Sequence, residues 1–202
     1  MSIQNTPEKL DEISKDLRDP TTVSEDELVD FFDEFDIPQN VALALPSPEF
    51  TASDTSACYC CVYEIFFRDC GLRFPVDPLL LEYLEALKIS IPQMCPNFLR
   101  KISGLITLAK ENEVELTVAD LVRLGHIKRN SKLTPVTIYL ANVAGRGVLE
   151  GLPEKDTHWG RRRFFFEINE HSVGSFHQRL CLEWASSPGI ELGFVIRYSV
   201  FL

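Results

Sequence analysis

Apolar positions recur every three to four residues through most of the first two thirds of the chain, a period that predicts about five helices. Ser24 and Glu27 form a capping box ahead of the stripe Leu28, Phe31, Phe32 and Phe35, while Asp30, Asp33 and Glu34 face water. Pro38, Pro46 and Pro48 then forbid a long helix, and the Ser/Thr/Asp-rich stretch after them reads as loop. From Cys58, YCCVYEIFFRDCG places Val62, Ile65, Phe66 and Cys70 on one helical face, with Gly71 as its stop. Pro78 suits the first turn of the helix LLLEYLEALK, which cannot continue into Pro92. A further helix runs from about Pro96 to Glu111 and buries Phe98, Leu99, Ile102, Leu105, Ile106 and Ala109. Thr117, supported by Asp120, caps VADLVRLGHI.

The period changes in the last third. VTIYLANVAGRGVLEGL predicts two short strands around a glycine-containing turn, and RRFFFEI a buried strand. QRLCLEWAS suits a short helix. The terminal GFVIRYSVFL either docks in a sheet or marks the truncation of a longer protein. The class expected is α+β and mostly helical: a bundle of about five helices followed by a small β-rich element. Residues 1–22 are polar, contain Pro7 and Pro20, and read as an acidic flexible arm. Residues 23–202 form the domain, helical over 23–130 and mixed strand and helix over 131–202.

Charge sharpens that division. The formal net charge is −10, yet residues 1–57 hold 14 acids against 3 bases while the remainder holds 16 against 17. An acidic front repels nucleic acid and membrane surfaces. A hydrophobic content of 45% excludes wholesale disorder. The six cysteines come without an apolar signal region at the N-terminus, which favours free thiols in a reducing compartment, nucleus or cytoplasm, and not a secreted protein. No apolar run approaches the roughly 18 residues needed to span a bilayer.

Candidate chemistry is sparse. Glu64, Asp69, Asp77, Glu82 and Glu85 fall at solvent-face spacing on helices, not as carboxylates converging on divalent metal. His126, His158 and His171 lack partners at ligand spacing, and His177 with Cys181 makes only half of a tetrahedral site. The sequence therefore assigns no catalytic, cofactor-binding or metal-ligating residue. The strongest polar feature is basic: Arg161, Arg162 and Arg163 run together ahead of Phe164–Phe166, and Lys128, Arg129 and Lys132 form a smaller cluster. Cations neutralise phosphates, so these six are the candidate polyanion contacts.

Four blocks carry a resemblance: DIPQNVALALPSPEF at 36–50, CVYEIFFRDCGLRFPVDPLL at 61–80, ISIPQMCPNFLRKISG at 89–104 and GLPEKDTHWGRRRFFFEI at 151–168. In this order they resemble the gypsy-type transposon domain of plants, whose texts read GIP…V…LP-P, YE-x-x-F-x-x-GLRFP-x-x-P, Q-x-x-PN-x-x-R and GLP-x-x-x-x-x-W-K-x-RFFF. The likeness spans roughly residues 30–185 and departs at Gly160, where those sequences usually carry Lys. It implies a gag-like, retrotransposon-derived structural domain that is not an enzyme and that works through self-association and weak nucleic-acid contact. The residues themselves indicate no cofactor, membrane partner or small-molecule ligand. The alternatives are a transposase- or integrase-type enzyme and a dedicated nucleic-acid-binding module.

Overall fold

The computed structural model describes residues 7–54, 56, 58–130, 132, 133, 135–142, 149, 151–153 and 156–185. In chain order the helices are α1 (Pro7–Arg18), α2 (Glu25–Glu34), α3 (Glu64–Arg68), α4 (Pro78–Leu87), α5 (Pro96–Glu111), α6 (Val118–Leu124) and α7 (Glu170–Val173). The strands are β1 (Leu43–Ala44), β2 (Tyr59–Tyr63), β3 (Gly125–Asn130), β4 (Thr137–Asn142) and β5 (Arg163–Glu167). The α+β class holds. Strands and helices are interleaved, however, and the division into helical 23–130 and mixed 131–202 does not: β1 and β2 come from the first third and pair with β5 from the last. No helix among the described residues is long and apolar enough to cross a membrane.

Local signals place the helix ends. Ser24 and Glu27 close their capping box at the start of α2, and Thr117 and Asp120 do the same for α6. Pro78 opens α4 with the Asp77 side chain accepting from Leu79 N, and Pro96 opens α5. The segment read as one helix from Cys58 is instead a strand followed by a short helix. Tyr59–Tyr63 is rich in aromatic and β-branched residues and finds a full-length partner in β5, which overrides the helical spacing. Helix α6 likewise stops at Leu124, because Gly125–Asn130 pairs with Thr137–Asn142. The strand expected at 137–142 exists, but its partner lies upstream; the expected second strand of that pair falls largely outside the described residues, as does the C-terminal GFVIRYSVFL. No helix forms over 179–185, and only the short 3-10 helix Gly174–Gln178 precedes that stretch.

The three-stranded antiparallel sheet runs β1-β5-β2. Side chains alternate along β5, so Phe164 and Phe166 face one layer and Arg163 and Phe165 the other. Phe164 meets Phe31 of α2 and Phe67 of α3 at centroid separations of 4.8 and 6.0 Å, and Phe166 meets Phe74 at 4.8 Å. Phe165 meets Phe50 edge-on at 6.1 Å. Both faces of the sheet are thus covered, which is why β2 and β5 read as continuous apolar runs.

Residues 7–18, expected within a solvated arm, form α1, and its C-terminal half is docked. Leu17 is fully buried and Asp16 nearly so. Leu17 O accepts from Ala52 N at 3.0 Å, and Thr22 N donates to Arg161 O at 2.9 Å. The local polarity of this segment is real, but its partners lie well downstream, at Ala52 and around Arg161.

Candidate functional site

The arginine triplet stands at the junction of these layers. The short 3-10 helix Trp159–Arg161 turns the chain into β5, and Trp159 packs edge-on against Tyr63 at 4.6 Å. Tyr63 in turn donates from its hydroxyl to Pro92 O at 3.0 Å. The three guanidiniums that follow diverge into separate networks.

Arg161 turns towards α1. Its Nε lies 2.5 Å from Asp16 Oδ1, a charge contact out of line for a hydrogen bond, and its Nη2 lies 3.4 Å from Asp19 Oδ2. His158 Nδ1 approaches the other oxygen of Asp16 at 3.3 Å. Arg162 turns the opposite way, pairing with Glu64 and, at 2.8 Å, with Glu27. Glu64 also pairs with Arg68, which reaches Glu34. The result is an alternating chain of three carboxylates and two guanidiniums along the rim of a cleft of ≈ 160 Å³ floored by Phe31 and Phe164. The Ser24 backbone N–H, and then Arg162, hold the Glu27 carboxyl below its ordinary value of 4.5. Hydrogen bonds to carboxylates likewise raise the values of Arg68 and Arg162. Glu64, expected on a solvent face, is therefore a buried link between α3 and β5.

Arg163 is fully buried. Its Nη1 donates to Asp16 O at 3.0 Å and Gly160 O at 2.9 Å, and its Nη2 to Asp19 O at 2.5 Å and Phe50 O at 3.1 Å. One planar cation thus ties α1, the strap after it, the 3-10 turn and the Phe50 loop together. The triplet expected to meet a polyanion is consumed by the fold itself, Arg163 wholly and its neighbours in ion pairs.

The other motif residues are used in the same way. Gln93 is buried and clasps the backbone of Ala185, its amide donating to the carbonyl at 2.8 Å and its oxygen accepting from the N–H at 3.1 Å. Asn97 donates to Pro153 O at 2.7 Å. Arg100 grips Asp156 through both terminal nitrogens at 2.6 and 2.8 Å and donates to Asp69 O at 3.1 Å. Arg73 donates to Phe67 O and Leu72 O and lies over the Phe35 ring at 5.2 Å. Spacing alone did not reveal the roles of Gln93, Asn97 and Arg100, because Ala185, Pro153 and Asp156 are remote from them in sequence.

Gly160 carries a similar meaning. A Cβ there would meet the Asp16 carbonyl carbon and the Leu17 nitrogen at 3.2 Å and the Leu17 side chain at 3.1 Å. The missing side chain lets α1 lie directly on the turn. Gly160→Lys, the residue usual in the resembling sequences, is expected to lift α1 off at a cost of about 1–2 kcal/mol. Amide exchange should show protection lost in α1 while α5 stays protected; undiminished protection in α1 would refute this account.

The second basic cluster stays outside. Lys128 and Arg129 are exposed on β3 and Lys132 is exposed in the turn that follows. The β3–β4 register sets Lys128 opposite Tyr139, itself 38% exposed. Cys58 is exposed and Cys181 half-buried, whereas burial pushes the Cys61 and Cys70 thiols up to about 12 and that of Cys95 to about 11, so these three stay protonated near neutrality. Cys60 and Cys61 are buried as expected, though on a strand. His177 bonds Gly174 O at 2.9 Å in the 3-10 helix that ends before Cys181, so the two do not share a helical face. Among the described residues no group of three or more His, Cys, Asp or Glu is placed to hold a metal ion.

No family model matches the chain, and no solved structure matches it. An Arabidopsis thaliana protein named as uncharacterized and chloroplastic is similar, at 32% identity over 130 residues, or 64% of this chain. The chain spans only 16% of that relative. The similarity supports the plant origin expected from the sequence, and the chloroplast in the relative's name overturns the expected nuclear or cytoplasmic location.

Proposed function

We propose that this chain is a gag-like, retrotransposon-derived structural domain that is not an enzyme and that acts through protein–protein assembly. The observation that carries this reading is the use made of the motif residues. Glu64, Gln93, Arg100, Trp159 and Arg163 are buried, and together with the half-buried Asn97 and the exposed Arg73 they bind the chain's own elements, as expected of motifs that preserve a scaffold. Any nucleic-acid contact falls to the exposed Lys128, Arg129 and Lys132, and the net charge of −10 keeps it weak. The plastid setting in the relative's name is adopted as part of the same proposal.

Light scattering across a concentration series tests the assembly. Mass that rises with concentration is expected; a strict monomer up to the highest soluble concentration would overturn the reading.

A further inference from the structure

Two exposed patches of opposite sign stand on separate parts of the molecule. On α2, Asp26, Val29, Asp30 and Asp33 follow the i, i+3, i+4, i+7 spacing of one helical face, opposite the buried Leu28 and Phe31. Val29, at 67% exposure, is the most exposed large apolar residue described and sits among three carboxylates. Asp30 borders the cleft that Glu27 and Glu34 also line, where those two charges are engaged by Arg162 and Arg68. The β3–β4 hairpin, which packs on α5 and α6, inverts the arrangement: the half-exposed Tyr139 ring stands opposite Lys128 with His126 next on the same face and Lys132 at the turn.

We propose that the hairpin face around Tyr139 and Lys128 docks onto the Asp26–Asp33 face of α2 in a second copy of this chain. Each patch is an apolar centre with charge around it, and the two signs complement one another, which favours association and fixes its register. Two unlike patches make a head-to-tail contact, so the association continues into a ring or an open filament instead of stopping at a symmetric dimer. A nucleic acid is the poorer occupant: it would meet the same lysines but also the acidic front of the chain. This inference rests on the assembly reading above and names its surfaces.

The test uses the full chain in two charge-reversed forms, Lys128→Glu with Lys132→Glu and Asp26→Lys with Asp30→Lys, followed by sedimentation velocity at low and high salt. All four positions are exposed, so each pair should keep a cooperative melting transition, lowered by a few degrees at most in the α2 pair, where Asp26 lies in the first helical turn. The unaltered chain is expected to associate and to weaken with salt. Each reversed form alone should associate at least about tenfold more weakly, and their equimolar mixture should regain association, because the reversed helix of one fits the reversed hairpin of the other. Reversed forms that assemble as well as the unaltered chain, or a mixture that stays dissociated, would overturn the surfaces while leaving assembly standing. A monomeric unaltered chain would overturn assembly and this inference with it. Single-stranded DNA binding that the hairpin reversal abolishes while association persists would assign the hairpin to nucleic acid instead.

Discussion

Replacing Arg163 by Ala is expected to cost about 4 kcal/mol, a large part of the stability of the domain. The change empties a fully buried site and strips donors from the carbonyls of Asp16, Asp19, Phe50 and Gly160. Each buried acceptor left without a donor costs about 1–3 kcal/mol, against a total stability of about 5–15 kcal/mol for a domain. Arg163→Lys keeps the charge but not the planar fork, and one ammonium cannot span four carbonyls drawn from four segments; a loss of about 2 kcal/mol is expected. Arg162→Ala, by contrast, removes partly exposed ion pairs and should cost about 1 kcal/mol or less. Urea denaturation of the three variants gives the ranking directly. Equal, small effects at 162 and 163 would show that the triplet is a surface feature after all.

The second large effect is expected at Phe67. Its ring is fully buried and meets Phe31, Phe74, Phe35 and Phe164 at 5.1, 5.3, 5.8 and 6.0 Å. It is therefore the hub between α2, the Phe74 crossing and β5. Phe67→Ala loses transfer energy and leaves a cavity among rigid aromatic neighbours that collapse poorly, for a cost of about 4 kcal/mol. In a domain of this size that is a fall in Tm of about 10 °C. Phe67→Leu, which refills much of the space, should recover more than half of the loss. Calorimetry showing Phe67→Ala within a degree or two of the unaltered chain would place the core elsewhere.

These two residues also mark where a reading of the chain alone succeeds and fails. Helix starts at Ser24, Pro78, Pro96 and Thr117 were legible because a cap is written within four residues of the end it makes. The buried strand in RRFFFEI was legible from its unbroken apolar run. Strand β2 was not, because CVYEIFFRDC satisfies a helical period and only its pairing with β5 settles the conflict. The docking of α1 was hidden for the same reason, its neighbours Gly160 and Arg161 being remote in sequence. Charge misled most at the triplet. A run of arginines looks the same whether it faces solvent or carbonyls, and only the folded chain shows that Arg163 faces inward.

The position of β5 has a consequence for how the molecule is made. Phe166 pairs with Leu43 on one side and with Cys60 on the other, so the central strand of the sheet is synthesised long after both of its edges. Until it emerges from the ribosome, β1 and β2 have no strand between them, and the aromatic rings of α2 and α3 lack Phe164 as their floor. Contacts so distant in sequence close slowly, and unpaired strands with exposed rings are prone to aggregate meanwhile. A nascent chain stalled before Arg163 should therefore hold onto chaperones, and release should coincide with the emergence of the RFFFE segment.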